Sequence, residues 1–393
     1  MSPAADPAYG SRLLWLWWQG LRDRLRGNHR RASARWGHLR PPPGSGRLVW
    51  AEAGGTEDSV RLAAGLLQAL SATQRDLRLV LSFEQEYPQL AGRMLDGLRD
   101  TAYGYGPADP ARAVRHTLRA LAPSGVLMVA RHPAPNLCAG LETTGVQCVA
   151  VHTPVAKKGR FEAAYPADRE QEEAWIRCRR AGHVAPRADL MTLLVEAQVD
   201  PNFRVLLCGG QDCSVWCMLG VDHRQCRQID AWWRASGLAR RGVLLVAAEH
   251  CRRPPAAWQR ISSWDRTAPG IGAVLLLDDR RWFAAAAASS DAIHLGDCDA
   301  WTFWQALAGG CPVTVSGRAA VLGRFDADSI SALPADLLAE VRDLAVLERF
   351  WSQMQADPIG LRQRGDVLRR LFWGERRRAG EVSRELLHRV SAW

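Results

Sequence analysis

The chain has 393 residues, of which 47% are hydrophobic and 23% are charged, as in ordinary globular proteins. This composition excludes a disordered, collagen-like or disulfide-scaffold chain, and no run approaches the ~18 apolar residues that a membrane-spanning helix needs. There are 51 Lys and Arg residues against 41 Asp and Glu residues, a net charge of +10, which favours anionic partners such as nucleotides, nucleic acid or acidic lipid head groups.

The first distinctive segment covers residues 12–26, with the sequence RLLWLWWQGLRDRLR. Tryptophan favours a membrane interface because its ring is apolar and its N–H is polar. An amphipathic helix of this kind can lie in the head-group layer with its arginines toward anionic lipid. The alternative is a first helix that packs on its own domain. We predict a membrane-associating segment over residues 1–45, with Trp15, Trp17 and Trp18 as its aromatic residues.

Residues 46–199 alternate short apolar runs with amphipathic stretches. The runs predict strands and the stretches predict helices. Alternation of this kind indicates a parallel sheet with helices on both faces. Strands are predicted at 47–53, 77–83, 125–130 and 146–152, and helices at 58–70, 87–99, 110–121, 136–144, 168–179 and 186–197.

A second alternating series occupies residues 200–333, after a linker near 200–210. Residues 334–393 form a helical tail that we expect to return to the first domain. The element order predicts an α/β protein with two Rossmann-like doubly wound domains, the GT-B layout of glycosyltransferases, with ligands at the carboxyl ends of the strands. In the second domain, strands are predicted at 215–220, 242–248, 273–278, 292–295 and 312–316, and helices at 224–236, 255–262, 281–288 and 302–308.

Glycines and acidic residues follow the first predicted strand, in the sequence AEAGGTEDS. Gly54 and Gly55 permit a tight turn. Glu57 and Asp58 would lie in the first turn of the next helix, where carboxylates complement the helix dipole. That structural role explains the acids by itself. The functional alternative is that one carboxylate is the general base that removes a proton from an attacking sugar hydroxyl.

Two later loops carry groups suited to a phosphate or a ribose. In AAEHCRRPP, His250, Arg252 and Arg253 follow a predicted strand, where guanidinium groups suit phosphate or form a solvated basic loop. In GDCDAWTFWQALAGGCPV, a loop leads into a helix with Thr302 and Gln305 on one face. A helix N-terminus is a natural site for an anion, but this helix can equally be packed in the core through its tryptophans.

Four cysteines cluster at positions 208, 213, 217 and 226, near His223. Structural zinc sites usually combine two closely spaced ligand pairs, and only one such pair is evident here. Ten cysteines in a chain of this length are also too few for a disulfide framework. We therefore predict no metal site, no cofactor and a reducing compartment.

The order of these segments resembles the Kdo transferases, which transfer 3-deoxy-D-manno-octulosonic acid from CMP-Kdo to lipid A precursors. RLVWAEAGGTED stands where that family has a strand leading into H-A-V-S-x-G-E, with Asp58 at the family's catalytic glutamate. ARHPAPNL matches the tail of E-T-E-L-W-P-N-L, and AAEHCRRP takes the place of P-R-H-P-E-R. LLLDDRRWFAAAAASSDAIHLG follows the D-T-x-G-E-L … A-D-x-x-x-x-G spacing, and WTFWQALAGGCPV aligns with H-N-x-x-E-P-A-x-x-G-K-P-V. The shared residues are Pro135, Asn136, Leu137, His250, Arg253, Asp278, Asp291, Gly296, Gly310, Pro312 and Val313.

Several family positions are changed in this chain. Asp58 is one methylene shorter than the glutamate it replaces, and Ala130 and His132 stand for the paired glutamates of E-T-E. Thr302 and Gln305 stand for the Asn and Glu of the nucleotide-binding helix. These changes fit either a different nucleotide-sugar specificity or a protein that binds without turnover.

The resemblance implies an inverting glycosyltransferase of lipopolysaccharide biosynthesis, peripheral to the cytoplasmic face of the inner membrane. The donor would be CMP-Kdo or a related CMP-activated acid sugar, and the acceptor a lipid A-type phosphoglycolipid. Asp58, or as the second choice Glu57, would be the general base, and the basic residues would neutralise the leaving phosphate without a metal. The implied donor ligands are Gly55, His250, Arg252, Arg253, Asp278, Thr302 and Gln305.

Two other functions are alternatives to the transferase. The first is a catalytically inactive paralogue that acts as a binding or scaffold protein in envelope assembly, which CMP binding would distinguish. The second is nucleic-acid binding through the basic charge. We expect no specific nucleic-acid partner, because the arginines are dispersed and no recognition motif is present.

Overall fold

The computed structural model describes residues 13–74, 76–84, 87–156, 158–196, 202–249, 251, 253–317, 325 and 337–393, with side chains for all of these except 13–16 and 249. The chain divides into two compact units. The first unit consists of Met1–Leu190 together with Arg378–Trp393, and the second is Met191–Arg377.

The first unit contains a seven-stranded sheet in which every neighbouring pair is parallel. The strand order is β3-β2-β1-β4-β5-β6-β7. From β1 the chain adds β2 and β3 on one side and then β4 to β7 on the other, so the strand order reverses between the neighbours β1 and β4. The strands are β1 (Arg47–Ala53), β2 (Leu77–Phe83), β3 (Thr101–Tyr105), β4 (Gly125–Val129), β5 (Gln147–Val151), β6 (Phe161–Tyr165) and β7 (Ala181–Val184).

Helices connect these strands and cover the sheet. Their buried positions recur at helical spacing; in α3, for example, Val60, Ala63, Ala64 and Leu67 all face the core. The helices are α1 (Leu13–Leu25), α2 (His29–Ala34), α3 (Glu57–Thr73), α4 (Pro88–Met94), α5 (Ala111–Leu121), α6 (Pro135–Thr144) and α7 (Arg169–Cys178).

The second unit also contains a seven-stranded sheet with parallel neighbours. Its order is β10-β11-β9-β8-β12-β13-β14, and the corresponding reversal lies between β8 and β12. The strands are β8 (Ser214–Asp222), β9 (Gly242–Glu249), β10 (Gln259–Arg260), β11 (Val274–Leu276), β12 (Ala292–Leu295), β13 (Val313–Val315) and β14 (Ala339–Glu340).

The helices of this second series include one very long helix, α13, that runs over 34 residues. Its residues from Arg378 onward belong to the first unit, where Arg389 bonds to Glu162 and Tyr165 on β6. The helices are α8 (Phe203–Cys208), α9 (Cys226–Ala235), α10 (Phe283–Ser289), α11 (Ala300–Gly309), α12 (Leu344–Ala356) and α13 (Pro358–Ser391).

The parallel α/β class predicted from the sequence is confirmed in both units, with the fold of two Rossmann-like domains and a helical C-terminal region. Some individual elements were predicted wrongly. The predicted helix at 255–262 is the short strand β10 followed by a 3₁₀ turn, Ile261–Ser263, and the predicted helix at 186–197 is only a 3₁₀ turn, Leu190–Leu194.

Each sheet lies in its own apolar core. In the second unit, Trp216 on β8 and Trp351 on α12 are fully buried and stack with ring centroids 5.0 Å apart and planes 12° apart. Offset stacking of this kind adds to the burial of two large rings, so β8 and α12 are joined at the centre of the unit.

Helix α1 combines a buried polar contact with an exposed aromatic face. Asp23 is buried and accepts a hydrogen bond from the Arg35 guanidinium at 2.6 Å, which attaches α1 to the turn after α2. Trp17 and Trp18 are 62% and 53% exposed, and Leu25 is 80% exposed. In the described part of the chain, no helix is long and apolar enough to span a membrane.

Candidate functional site

The carboxyl edge of the first sheet is held together by buried charges. Glu52, near the end of β1, is fully buried and pairs with Arg131, the second residue after β4. The other carboxylate oxygen of Glu52 accepts a 2.6 Å hydrogen bond from Ser82 on β2. Arg131 also lies 3.0 Å from Glu84, which follows β2. Three neighbouring strand ends are therefore fixed by one polar network.

The loops after β1 and β4 approach each other closely above this network. The Gly54 N–H donates to the Val129 carbonyl, and a Cβ on Gly54 would lie 2.2 Å from the carbonyl oxygen of Ala130. Only glycine fits at this position. This is the point where the strand order reverses, and ligands of doubly wound sheets bind at such points.

Helix α3 begins directly after this loop with a capping box. The Thr56 hydroxyl accepts from the Ser59 N–H at 3.2 Å, and the Ser59 hydroxyl accepts from the Thr56 N–H. Glu57 is engaged by Arg61, at 2.6 Å. Asp58 is half-buried in the first helical turn, and Gly55 is half-buried in the loop before it. The structure thus places both candidate bases and Gly55 at the carboxyl edge of the first sheet.

The neighbouring loop before α6 depends on Asp109. This buried carboxylate accepts hydrogen bonds from the backbone N–H groups of Asn136 and Leu137, at 3.0 and 3.1 Å. Burial raises the pKa of Asp109 in spite of these bonds. Asn136 and Leu137 therefore have a structural role in starting α6.

Two glycines lie close together at the carboxyl edge of the second sheet. Gly220 interrupts the regular pairing of β8 with β9, and a Cβ on Gly296 would lie 2.2 Å from the Gly220 carbonyl oxygen. The end of β8 and the residue that follows β12 therefore approach each other as closely as the loops after β1 and β4 do. Small residues at a reversal point let a phosphate approach the backbone.

The basic segment after β9 is only partly described. Arg253 is exposed, whereas His250 and Arg252 lie outside the described residues. Asp278, which follows β11, accepts hydrogen bonds from the Ser262 N–H and hydroxyl at 3.1 and 2.6 Å and pairs with Arg260 at 3.3 Å. The Asp278 carboxylate therefore holds the segment around Ser262.

Helix α11, which carries the predicted donor ligands Thr302 and Gln305, begins at this edge. Asp299 caps it by accepting from the Thr302 N–H at 2.8 Å. Burial alone would raise the pKa of Asp299, but its pairing with Arg280 and its bond to Thr302 outweigh burial and lower the pKa. Thr302 itself is buried.

Gln305, the other predicted ribose ligand, is 1% exposed, and its side-chain amide donates to the Glu196 carbonyl at 3.2 Å. It lines a pocket of about 340 Å³ with Ala308 and Gly309 at the end of α11, and with Arg369 and Trp373 of α13. Its role as a ribose ligand stays a prediction.

A buried histidine lies beside the same edge. His294 on β12 has its ring nitrogens 3.0 Å from the hydroxyls of Thr314 and Ser316. Burial lowers the pKa of His294 from its ordinary value of 6.5 to about 4, so the ring is neutral at pH 7. Its two hydroxyl partners satisfy the neutral form.

The cysteine cluster is arranged differently from a zinc hairpin. Cys208 and Cys213 form a disulfide, and Cys217 is buried inside β8. Among the described residues, no group of three or more His, Cys, Asp or Glu side chains is placed to hold a metal ion.

Sequence reasoning missed the most elaborate feature of the first edge, the Glu52–Arg131 pair. A signal was present, because Glu52 is a charged residue inside an otherwise apolar strand, RLVWAEA. Charged residues are almost never fully buried unless they are paired. The partner could not be named from the sequence, since Arg131 lies 79 positions further along the chain.

Comparison with known proteins bears on the fold alone. No family model matches the chain, and no curated protein matches it. Among solved structures, UDP-GlcNAc 2-epimerase from Neisseria meningitidis bound to UDP-GlcNAc is 10% identical, with a TM-score of 0.53 over 87% of this chain and 100% of the other. A UDP-glucosyltransferase from Polygonum tinctorium is 11% identical, with a TM-score of 0.53 over 89% of this chain and 98% of the other. The chain therefore has the two-domain GT-B fold.

Proposed function

We propose that this protein is a glycosyltransferase that moves a sugar from a nucleotide-activated donor to an acceptor hydroxyl. The main support is the contrast between the two carboxyl edges. One edge carries carboxylates at the start of α3, and the other carries closely approaching glycine loops beside an exposed arginine. Similar folds that bind UDP or UDP-sugars support the donor class.

In the proposed reaction, Asp58 accepts the proton of the acceptor hydroxyl as that oxygen attacks the anomeric carbon of the donor. The nucleotide leaves with the bonding electrons, and attack from the opposite face inverts the configuration. Glu57, whose carboxylate pairs with Arg61, is the alternative base. Arg253 donates hydrogen bonds to the phosphate of the leaving nucleotide, as guanidinium groups commonly do; His250 and Arg252 would assist it.

The finer proposal is that the donor is CMP-Kdo or a related CMP-activated acid sugar and that the acceptor is a lipid A-type phosphoglycolipid. Its support is the order of segments that resembles the Kdo transferases, with Asp58, Arg253 and Gly296 at family positions. The reaction belongs to lipopolysaccharide biosynthesis in this reading.

Helix α1 supports a place at the cytoplasmic face of the inner membrane, as a peripheral protein. Its exposed Trp17 and Trp18 lie beside the exposed Arg24 and Arg26, the combination that an interfacial helix needs. Changing both tryptophans to alanine should reduce co-sedimentation with vesicles that contain anionic lipid, and added salt should weaken binding of the unchanged protein. Equal sedimentation of both proteins would rule out this membrane contact.

A specific observation favours the catalytically inactive paralogue as the second candidate. Gln305, which aligns with the glutamate of the family's nucleotide-binding helix, is turned to Glu196 and the pocket beside α13. A chain with that ligand missing could bind its partners in envelope assembly without turnover.

Calorimetric titration of the full chain with CMP and with UDP tests the transferase proposal. We expect binding of CMP, and Arg253→Ala should weaken it by about 1.5–3 kcal/mol, the contribution of hydrogen bonds to a charged group. Stronger binding of UDP would retain the transferase and replace the donor. Binding of neither nucleotide would reject the transferase in favour of the inactive paralogue.

Transfer to a lipid A-type acceptor then tests the base. Asp58→Asn is isosteric but cannot accept the proton, so turnover should fall about 10²–10⁴-fold while nucleotide binding is kept. Glu57→Gln is the matched control, because it makes the same carboxylate-to-amide change at the neighbouring residue, and it should retain activity. Wild-type turnover in Asp58→Asn would show that Asp58 is not the base.

A further inference from the structure

Two thiols lie side by side at the carboxyl edge of the second sheet, outside the chemistry proposed above. The Sγ atoms of Cys226 and Cys251 are 3.6 Å apart. Cys226 is the first residue of α9, and Cys251 lies two residues beyond the end of β9. We propose that they form a reversible modification site, a dithiol that a small disulfide oxidises to a Cys226–Cys251 bond.

The backbone on both sides of this pair is already held in place. The Cys226 N–H donates to the His223 carbonyl. The Cys251 N–H donates to Ala248, and the Cys251 carbonyl accepts from Arg260 at 3.2 Å. A disulfide needs the sulfur atoms about 2.05 Å apart, so the bond requires the two sulfur atoms to approach each other by about 1.5 Å.

The two thiols differ in access to solvent, and this difference sets the order of events. Cys251 is half-exposed, whereas Cys226 is 2% exposed. Burial also raises the pKa of the Cys226 thiol to about 12, which keeps it protonated at pH 7. A disulfide from solution therefore reacts first at Cys251, because the reactive cysteine is the accessible one.

One molecule of oxidised glutathione accepts both electrons over the two steps. The Cys251 thiolate attacks one glutathione sulfur, which forms a mixed disulfide and releases one glutathione thiolate. Cys226 then loses its proton to water and attacks the Cys251 sulfur, which releases the second glutathione. Two protein thiols are oxidised, one glutathione disulfide is reduced to two thiols, and a thiol reductant reverses the exchange.

The bond would join the start of α9 to the segment that contains Arg253. That segment is the one to which donor binding was assigned above, but the modification site does not depend on that assignment, because its test detects a covalent bond. Failure of nucleotide binding would leave the site standing, and failure to form the bond would leave the transferase standing.

The experiment uses the full-length protein, first reduced, then freed of reductant and incubated with oxidised glutathione. Remaining thiols are blocked with iodoacetamide before trypsin digestion and mass spectrometry. Because trypsin cleaves after the arginines that flank both cysteines, the expected product is peptide 225–227 linked to peptide 242–252. Its mass should be two hydrogen atoms below the sum of the two reduced peptides, and dithiothreitol should separate them again. Cys178, half-exposed in the first unit, is the control for access of the oxidant and should carry glutathione alone.

Two variants separate the steps. In Cys226→Ser the glutathione mixed disulfide should remain on Cys251, since no second thiol displaces it. In Cys251→Ser the buried Cys226 should stay reduced. The proposal is overturned if wild-type Cys251 keeps its glutathione, or if Cys226 and Cys251 both remain thiols under conditions that modify Cys178.

Discussion

The carboxyl edges of the two sheets share one geometry but are filled by different chemistry. In each unit, a glycine at the reversal point has no room for a Cβ. A Cβ on Gly54 or on Gly296 would lie 2.2 Å from a backbone carbonyl oxygen of the neighbouring segment. Below Gly54, the first edge is filled by Glu52, Arg131 and Glu84. Near Gly296, the second edge carries the Arg280–Asp299 pair, whose side chains are more exposed than those of Glu52 and Arg131. The same backbone arrangement thus supports a rigid charged edge in one unit and an open backbone edge in the other.

The two edges would contribute differently to the proposed reaction. A buried ion pair is costly to desolvate, so its value at the first edge lies in fixing the loops that carry Gly55 and Asp58. Glycine loops leave backbone groups accessible, which suits a phosphate at the second edge. The first edge positions side chains, and the second exposes main chain.

The strongest way to break the first edge is Arg131→Met. The variant leaves the fully buried Glu52 carboxylate without its cation, and removal of one partner of a buried pair costs about 3–5 kcal/mol of unfolding free energy. Urea denaturation measures this loss. The exposed Arg253→Ala in the other unit is the control and should change stability by less than about 0.5 kcal/mol. A loss for Arg131→Met no larger than the control would contradict the rigid-edge interpretation.

The second edge is tested by Gly296→Ala. The new Cβ meets the Gly220 carbonyl, a backbone atom that cannot rotate away, so we expect a loss of about 1–3 kcal/mol. Gly380→Ala in α13 is the matched control, because nothing lies within 4 Å of its added Cβ and alanine favours the helix by up to about 1 kcal/mol. Equal stabilities of the two variants would disprove the close approach of the loops.

Acid should sharpen the difference between the units through His294. The unfolded chain binds this proton near pH 6.5 and the folded chain only near pH 4, so stability falls as the pH drops through that window. Between pH 7.5 and 5, His294 should account for a loss of about 2 kcal/mol. His294→Gln should lose less stability than wild type over this interval by that amount in urea denaturation. Parallel pH profiles would show that the ring is not buried in its neutral form.

The smallest effect concerns the cap of α3, which holds Asp58 in the first turn. Thr56→Ala removes the side-chain half of the capping box and should cost about 1 kcal/mol, measured by urea denaturation. Thr56→Ser keeps the hydroxyl and should be near wild type. If alanine and serine behave alike at this position, the cap does not contribute to the stability of the first edge.

The sequence predicted the strands with long apolar runs well and the short strands of mixed composition badly. Apolar runs such as RLVWAEA and GVLLVAA predicted the central strands correctly, because both faces of such a parallel strand are buried. The strands β3, β6 and β7 were missed, since TAYGY, FEAAY and AGHV are short and mix small or polar residues. Pro255 was assigned to the helix predicted at 255–262, although it begins a turn in which the Trp258 N–H donates to the Pro255 carbonyl, and the chain then leads into β10.

The sequence predicted only those parts of the candidate site that are formed by residues close together in the chain. Glycines followed by acids after a strand marked the first edge, and Asp58 lies where that pattern put it. The Glu52–Arg131 network was invisible because it joins strands distant in sequence. The direction of Gln305 was also invisible, since helix periodicity places a residue on a face but does not say which neighbours that face meets.

The stacked tryptophans of the second unit have an optical consequence. Two indole rings that lie nearly parallel and this close couple their electronic transitions, so Trp216 and Trp351 should give an exciton couplet in circular dichroism. Among the described residues of the first unit, no two tryptophan rings stack. The couplet therefore belongs to the second unit, where the Trp232 and Trp351 ring centroids also lie 6.2 Å apart, and its disappearance during melting would report the loss of this tryptophan cluster without any added label.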